Sequence, residues 1–240
     1  MKKYIILLSL LCLGFTMNLN GTTLRDESGW VHDYITRNEA TDTSHEFSDN
    51  FNLSDTSDPT INDDWAKSTG ETYYFTANIR SNRLYITNGD NNSIVYYTGD
   101  STIGDSTQQV LCDPDSYEVG GLCFHSDISG DNSYTVGIRN GSDQGIWVSR
   151  QGGTGGNTRI DTHTFTPDGG WYYLKADLTT SGTVSTIRYK YWDTADSEPE
   201  WTGVIADDDL INSAEGYVGV FASWGDSVSF DDYSIEWTDN

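Results

Sequence analysis

The chain has 240 residues, and its 37 acidic against 13 basic side chains give a formal net charge of -24. That charge excludes nucleic acid as a partner, because such complexes take most of their affinity from cationic side chains. It works equally against anionic membrane surfaces. Only 4 prolines, with 24 glycines, 15 tyrosines and 8 tryptophans, favour strands and turns over helices.

The chain opens with a basic pair, Lys2 and Lys3, and an apolar run from Tyr4 to Phe15. This is the pattern of a secretory signal peptide, assigned to residues 1–21, and the run is too short to span a membrane. It predicts a secreted or cell-surface protein with no membrane association beyond the leader. Residues 22–45 are polar, alternate little and read as a linker or lead-in. The domain proper is placed at 46–240.

Within it, short apolar runs recur at the spacing of an all-β sandwich. The expected strands are Tyr73 to Ile79, Arg83 to Thr87, Ile94 to Tyr97, Gln108 to Cys112 and Gly121 to His125. They continue with Tyr134 to Arg139, Gly145 to Ser149, Gly170 to Leu178, Thr186 to Trp192 and a closing pair after Gly216. Three are cleanly two-faced: Tyr134, Val136 and Ile138; Tyr172, Leu174, Ala176 and Leu178; Ile187, Tyr189 and Tyr191. Each set marks a core face, and two antiparallel sheets packed face to face satisfy them all. The one helical expectation is a single turn within Asp207 to Ala214.

Cys112 and Cys123 form an even pair around a polar, turn-rich connection. In an oxidising compartment they are expected to make a disulfide. Closing a loop of that length stabilises by roughly 3 kcal/mol in the chain-entropy view.

The closing stretch reads as two strands joined by a turn at Trp224-Gly225-Asp226, a hairpin. Its second strand slips phase: Val228 and Phe230 share a face, but Tyr233, Ile235 and Trp237 continue it one residue out of step. A β-bulge at Asp231-Asp232 would absorb the extra residue.

An ordered set of motifs now runs through the chain. It begins with Phe47-x-Asp49-x-Phe51-Asn52, then Gly121-Leu122-x-Phe124, Tyr134-x-Val136-x-Ile138 and Trp171-Tyr172-x-Leu174-Lys175-Ala176. It continues with Tyr191-Trp192 and Glu198-Pro199-x-Trp201, and ends with Gly216 to Val220 and Phe230-Asp231-Asp232-Tyr233. The set resembles the concanavalin A-like lectin/glucanase superfamily, in its laminin G-like bacterial branch, over residues 46–238. The resemblance implies a jelly-roll sandwich. It leaves the activity open, because the superfamily hosts lectins, hydrolases, lyases and adhesion modules.

Three chemistries bear on the function. The superfamily's glucanases carry alternating catalytic carboxylates on one strand, and retaining catalysis needs two carboxyls about 5–5.5 Å apart. No strand here has that pattern; Glu198 and Glu200 flank a proline, and no catalytic residue is nominated. For calcium, which takes six to eight oxygen ligands, pairing of the two chain ends would bring Asp49 near Asp231 and Asp232. For sugars, aromatic faces stack on the rings while charged groups hold the hydroxyls. Trp147, Trp171, Tyr173 and Trp192 fall opposite their strands' apolar sets, and Arg139 and Arg188 are their polar companions. The expected function is a non-catalytic carbohydrate-binding or adhesion module with a polysaccharide or glycan partner. The alternatives are a glycoside hydrolase or polysaccharide lyase on the same fold, or a structural surface protein.

Overall fold

The computed structural model describes residues 24–25, 31–32, 44–51, 64–69, 75–89, 93–100, 102–114, 118–127, 129–152, 158–208, 215–223 and 225–238. The leader at 1–21 and most of the turn expected at Asp207 to Ala214 lie outside them. The chain divides into two compact units at Thr43/Ser44. In the first, β1 (Leu24–Arg25) and β2 (Val31–His32) pair antiparallel, with Leu24 opposite His32.

The second unit begins at Ser44, two residues ahead of the expected start. Its strands are β3 (Ser44–Asp49), β4 (Trp65–Lys67), β5 (Thr76–Ile79), β6 (Leu84–Gly89), β7 (Ser93–Tyr97), β8 (Ser106–Pro114), β9 (Val119–Ser126) and β10 (Ser133–Arg139). Then follow β11 (Gly145–Gln151), β12 (Thr158–Thr164), β13 (Tyr172–Ser181), β14 (Val184–Asp193), β15 (Gly203–Asp207), β16 (Tyr217–Ser223) and β17 (Gly225–Thr238). They form two antiparallel sheets. One has seven strands in the order β12-β11-β10-β9-β16-β7-β4. The other has eight, in the order β15-β14-β13-β8-β17-β6-β5, with β3 added along β17. Among the described residues no helix is long and apolar enough to cross a membrane.

The core lies between the sheets and follows the alternation read from the sequence. Tyr134, Val136 and Ile138 are fully buried, as are Leu174, Ala176 and Leu178, while Ile187 and Tyr189 come from the neighbouring strand. A second, smaller cluster lies on the outer side of the seven-stranded sheet, where Ile94, Tyr96, Val119, Cys123, Trp147 and Phe221 pack together. β13 turns into β14 through Gly182 and Thr183, with Gly182 at φ 63°. A first loop residue at positive φ matches the right-handed twist of the flanking strands, so glycine suits this turn.

Two expectations need correction. The closing stretch is not a hairpin. β16 sits between β9 and β7 in one sheet, whereas β17 sits between β8 and the β6/β3 pair in the other. Between Ser223 and Gly225 the chain therefore passes from one sheet to the other, and both strands are interior in their own sheet. The expected disulfide is not formed either: Cys112 and Cys123 are free and buried. Cys112 alternates with Leu111 and points into the core beside Val110, while Cys123 stands between core-facing Leu122 and Phe124 and so points outward. Strand parity puts the two sulfurs on opposite sides of the seven-stranded sheet, and burial raises both thiols' pKa values.

The bulge is where the phase slip placed it. Along β8 the register jumps between Asp231, opposite Leu111, and Ser234, opposite Gln109. Asp232 adopts φ 44°, the left-handed conformation that a bulge residue takes. β3 then pairs with the second half of β17, Asp49 lying opposite Tyr233.

Candidate functional site

The outer face of the eight-stranded sheet gathers most of the residues singled out for sugar contact. On β13, Tyr172 and Leu174 point inward, so Trp171, Tyr173, Lys175 and Asp177 point outward in one column. On β14 the outward column is Trp192, Lys190 and Arg188. The register sets Tyr173 beside Trp192, Lys175 beside Lys190 and Asp177 beside Arg188. Tyr173 and Trp192 stack with ring centroids 5.2 Å apart and planes 24° apart. Trp171 carries the Arg83 guanidinium 4.4 Å from its ring centre. Arg188 makes a forked ion pair with Asp177, donating from Nε at 2.9 and 3.0 Å and also from Nη2.

The sequence reading missed the loop that returns over this face. After β14 the chain runs through Glu198 and Pro199 to Trp201. Glu198 takes Lys190 Nζ at 2.7 Å and Lys175 Nζ at 3.1 Å. Lys190 also donates to the Pro199 carbonyl. Trp201 lies over both Arg188 and Lys190, at 4.7 and 4.5 Å from its ring centre. The Lys190 and Lys175 hydrogen bonds hold the Glu198 carboxyl below its ordinary pKa. In sequence Trp201 is only the end of the Glu198-Pro199-x-Trp201 motif. The signal that could have placed it is the outward column Arg188-Lys190, whose cations need partners in so acidic a chain.

Trp147 and Arg139 belong to a different place, the outer face of the seven-stranded sheet. Arg139 pairs with Gly145 and Arg159 with Ser149, so the two arginines flank Trp147 from opposite directions along β11. Their guanidinium carbons stand 4.0 and 3.2 Å from its ring centre. The indole N–H donates to the Asp143 carbonyl at 3.0 Å. Trp147 is only 6% exposed, so it is a packed ring under two cations and not an open platform.

A further arginine, Arg150, faces between the sheets. It donates to both Asp207 oxygens at 2.9 and 3.0 Å, and the Tyr134 hydroxyl donates to the same carboxylate at 3.0 Å. Burial pushes the Tyr134 phenol up to about 12. Arg139, Arg150 and Arg188 thus occupy three separate environments.

Of the three acidic residues expected around calcium, Asp49 and Asp232 line one cleft and Asp231 does not. Pairing of β3 with β17 produces an open cleft of about 390 Å³ lined by Ser48, Asp49, Asn50, Asp232, Tyr233 and Ser234. Asp49 accepts from the Phe51 N–H at 2.7 Å and from the Trp65 indole N–H at 2.8 Å. Burial raises the pKa of Asp231, and the neighbouring Asp232 and Asp49 charges push the same way. Among the described residues no three His, Cys, Asp or Glu side chains gather around one point. The cleft nevertheless offers two carboxylates, an amide and hydroxyls, all oxygen donors of the kind calcium takes.

The other acidic loop, Ser126 to Asn132, is tied up internally. Asp127 accepts from the Ser129 hydroxyl at 2.7 Å, the Asn132 amide at 2.6 Å and the Asp131 N–H at 3.1 Å. Burial raises its pKa, but these hydrogen bonds outweigh burial and hold the carboxyl below its usual range.

No family model matches the chain, and no curated protein matches it. Solved structures do. A carbohydrate binding module, CBM66 from Bacillus subtilis, aligns at 16% identity and TM-score 0.51, over 71% of this chain and 93% of that one. The GH43 protein BlXynB from Bacillus licheniformis aligns at 15% identity and TM-score 0.53, over 90% of this chain and 46% of that one. The chain therefore spans less than half of that GH43 protein. Lectin I-B4 from Griffonia simplicifolia, in its metal-free form, aligns at 10% identity and TM-score 0.51, over 80% of this chain and 98% of that one. At such identities the likeness speaks to architecture alone. The fold of this chain is the concanavalin A-like jelly-roll sandwich.

Proposed function

We propose that the chain is an exported, non-catalytic carbohydrate-binding module whose glycan lies on the outer face of the eight-stranded sheet. One observation carries this reading: Trp171, Tyr173, Trp192 and Arg188 come together on that face, with the first two rings half-buried rather than sealed. The CBM66 and lectin likenesses support it as examples of the same fold described as carbohydrate-binding module or lectin. A polysaccharide array together with a reducing-end release assay tests it. Binding without release is expected, and Tyr173→Ala should weaken it about tenfold, the scale of one lost aromatic stacking contact. Arg159→Ala, on the other sheet, should leave binding unchanged. Sugar release would favour the hydrolase or lyase reading that the GH43 likeness allows. Neither binding nor release would favour a structural surface protein.

Calcium at the Asp49–Asp232 cleft accompanies this proposal as a stabilising ion, separate from the glycan face. Its support is the convergence of the two chain ends and the like charge pressing on Asp231. Calcium added to chelator-treated protein at about 100 times its dissociation constant should stabilise by roughly 2.7 kcal/mol. Asp232→Ala should abolish the thermal shift. A wild-type melting curve indifferent to calcium would end the idea.

A further inference from the structure

The same face carries an order as well as a composition. Along β13 and β14 it runs aromatic, polar, aromatic. Trp171 and the Tyr173–Trp192 stack come first, then the Lys175–Glu198–Lys190 group, then Trp201 over Arg188. Trp171 to Asp177 spans six residues of strand, which is about 20 Å at the strand rise. That is the dimension of an extended chain of several sugar rings, far more than one ring needs. Four of the chain's cationic side chains, Arg83, Lys175, Arg188 and Lys190, stand on this stripe, although the protein carries a formal charge of -24.

Every ring on the stripe is held by a partner: Trp171 by Arg83, Tyr173 by Trp192, and Trp201 by Arg188 and Lys190. Arg188 and Lys190 are in turn fixed by Asp177 and Glu198. Rings already fixed lose little freedom when a ligand arrives, so binding energy is not spent on ordering them. The midpoint is polar, and its ammonium and carboxylate groups can donate to and accept from hydroxyls at once.

We infer that this stripe is a linear, multi-subsite track for an unbranched glycan lying along β13 and β14, with Trp201 as the subsite at its far end. The inference rests on the carbohydrate-binding reading and extends it to ligand shape and direction. A single-sugar pocket would close around its ligand, whereas this arrangement lies on a sheet face and repeats its aromatic contacts along the strands.

The experiment measures affinity for linear gluco-, xylo- and fructo-oligosaccharides from disaccharide to hexasaccharide, for the wild type, Trp201→Ala, Trp201→Phe and Trp171→Ala. Affinity for the bound series should rise with length and then level off. Trp201→Ala should weaken the longest oligomers about tenfold while leaving the shortest within about twofold, and Trp201→Phe should restore most of the loss. Thermal melts of each variant check that the sandwich is intact. Affinity independent of length, or a Trp201→Ala loss equal at every length, overturns the track while the carbohydrate reading stands. Binding that ignores Trp171, Tyr173 and Trp201 alike moves the ligand off this face. No binding to any glycan on the array defeats both.

Discussion

Asp127 shows how one side chain can imitate a site. Its loop has the composition of a metal loop, yet its oxygens already receive an amide, a hydroxyl and a backbone N–H. Composition lists acceptors; only the fold shows which donors reach them. Asp127→Ala should cost about 1–2 kcal/mol, because it removes the acceptor that the Ser129 hydroxyl and the Asn132 amide share. Its carboxyl titrates below the ordinary value, so its contribution is complete above the unfolded pKa of about 3.9 and is lost as pH falls through the lower folded value. Denaturant titrations of wild type and Asp127→Asn at neutral and acid pH should show a gap that narrows only in that acid window. A gap that stayed constant to the lowest pH would refute the assignment. Trp201 is the opposite case: a loop residue whose place over the sheet face no motif announces. Its position depends on Glu198 bridging two lysines, a contact between loop and strand that no periodicity reports.

At the scale of the strand, alternation was a dependable guide where a strand was long and two-faced, as in β10, β13 and β14. It missed β4, β12 and β15, whose faces are weakly contrasted: Val204 is 64% exposed, and β12 is polar along most of its length. The β17 bulge was legible because a one-residue slip reverses every later side chain, and the apolar set from Tyr233 to Trp237 records that reversal. Partners of strands were much less legible. Reading β16 and β17 as a hairpin was natural for adjacent strands, and pairing the two cysteines was natural for neighbours in sequence. Neither inference could see which sheet or which face each strand would join. The bulge supplies its own check. Asp232 holds a left-handed backbone, so a β-branched side chain there should strain the turn while glycine relieves it. In chelator-treated protein, Asp232→Val should destabilise by about 1–2 kcal/mol and Asp232→Gly should stay within about 0.5 kcal/mol of wild type. Equal losses from the two would show that the side chain, not the backbone, matters at this position.

For the whole sandwich, the buried Arg150–Asp207 pair ties β11 in one sheet to β15 in the other, with side chains 8% and 9% exposed. Asp207→Asn leaves the guanidinium without its charge partner and should cost about 3–5 kcal/mol. Replacing both members with apolar side chains of similar volume should cost much less, and thermal or urea unfolding of the single and double variants decides it. The surface charge acts in the other direction. A formal charge of -24 repels itself within a compact fold. Raising sodium chloride from low to near-molar concentration shortens the screening length to about 3 Å and should raise the melting temperature. A melting temperature unmoved by salt would mean that local pairing already neutralises the repulsion.

The passage from β16 in one sheet to β17 in the other bears on the order in which the molecule can assemble. β16 and β17 come last in the chain, yet each is an interior strand of its sheet. Until they are made, β9 and β7 lack their shared neighbour, and β8 lacks the neighbour that joins it to β6. β3 must wait for a partner lying nearly the whole domain away, Ser44 opposite Thr238. Such distant pairings make folding slow, on the scale of milliseconds to seconds, and leave strand edges exposed meanwhile. Neither sheet can close before β16 and β17 are in place. Truncation before Gly216 should therefore yield aggregates rather than a smaller sandwich.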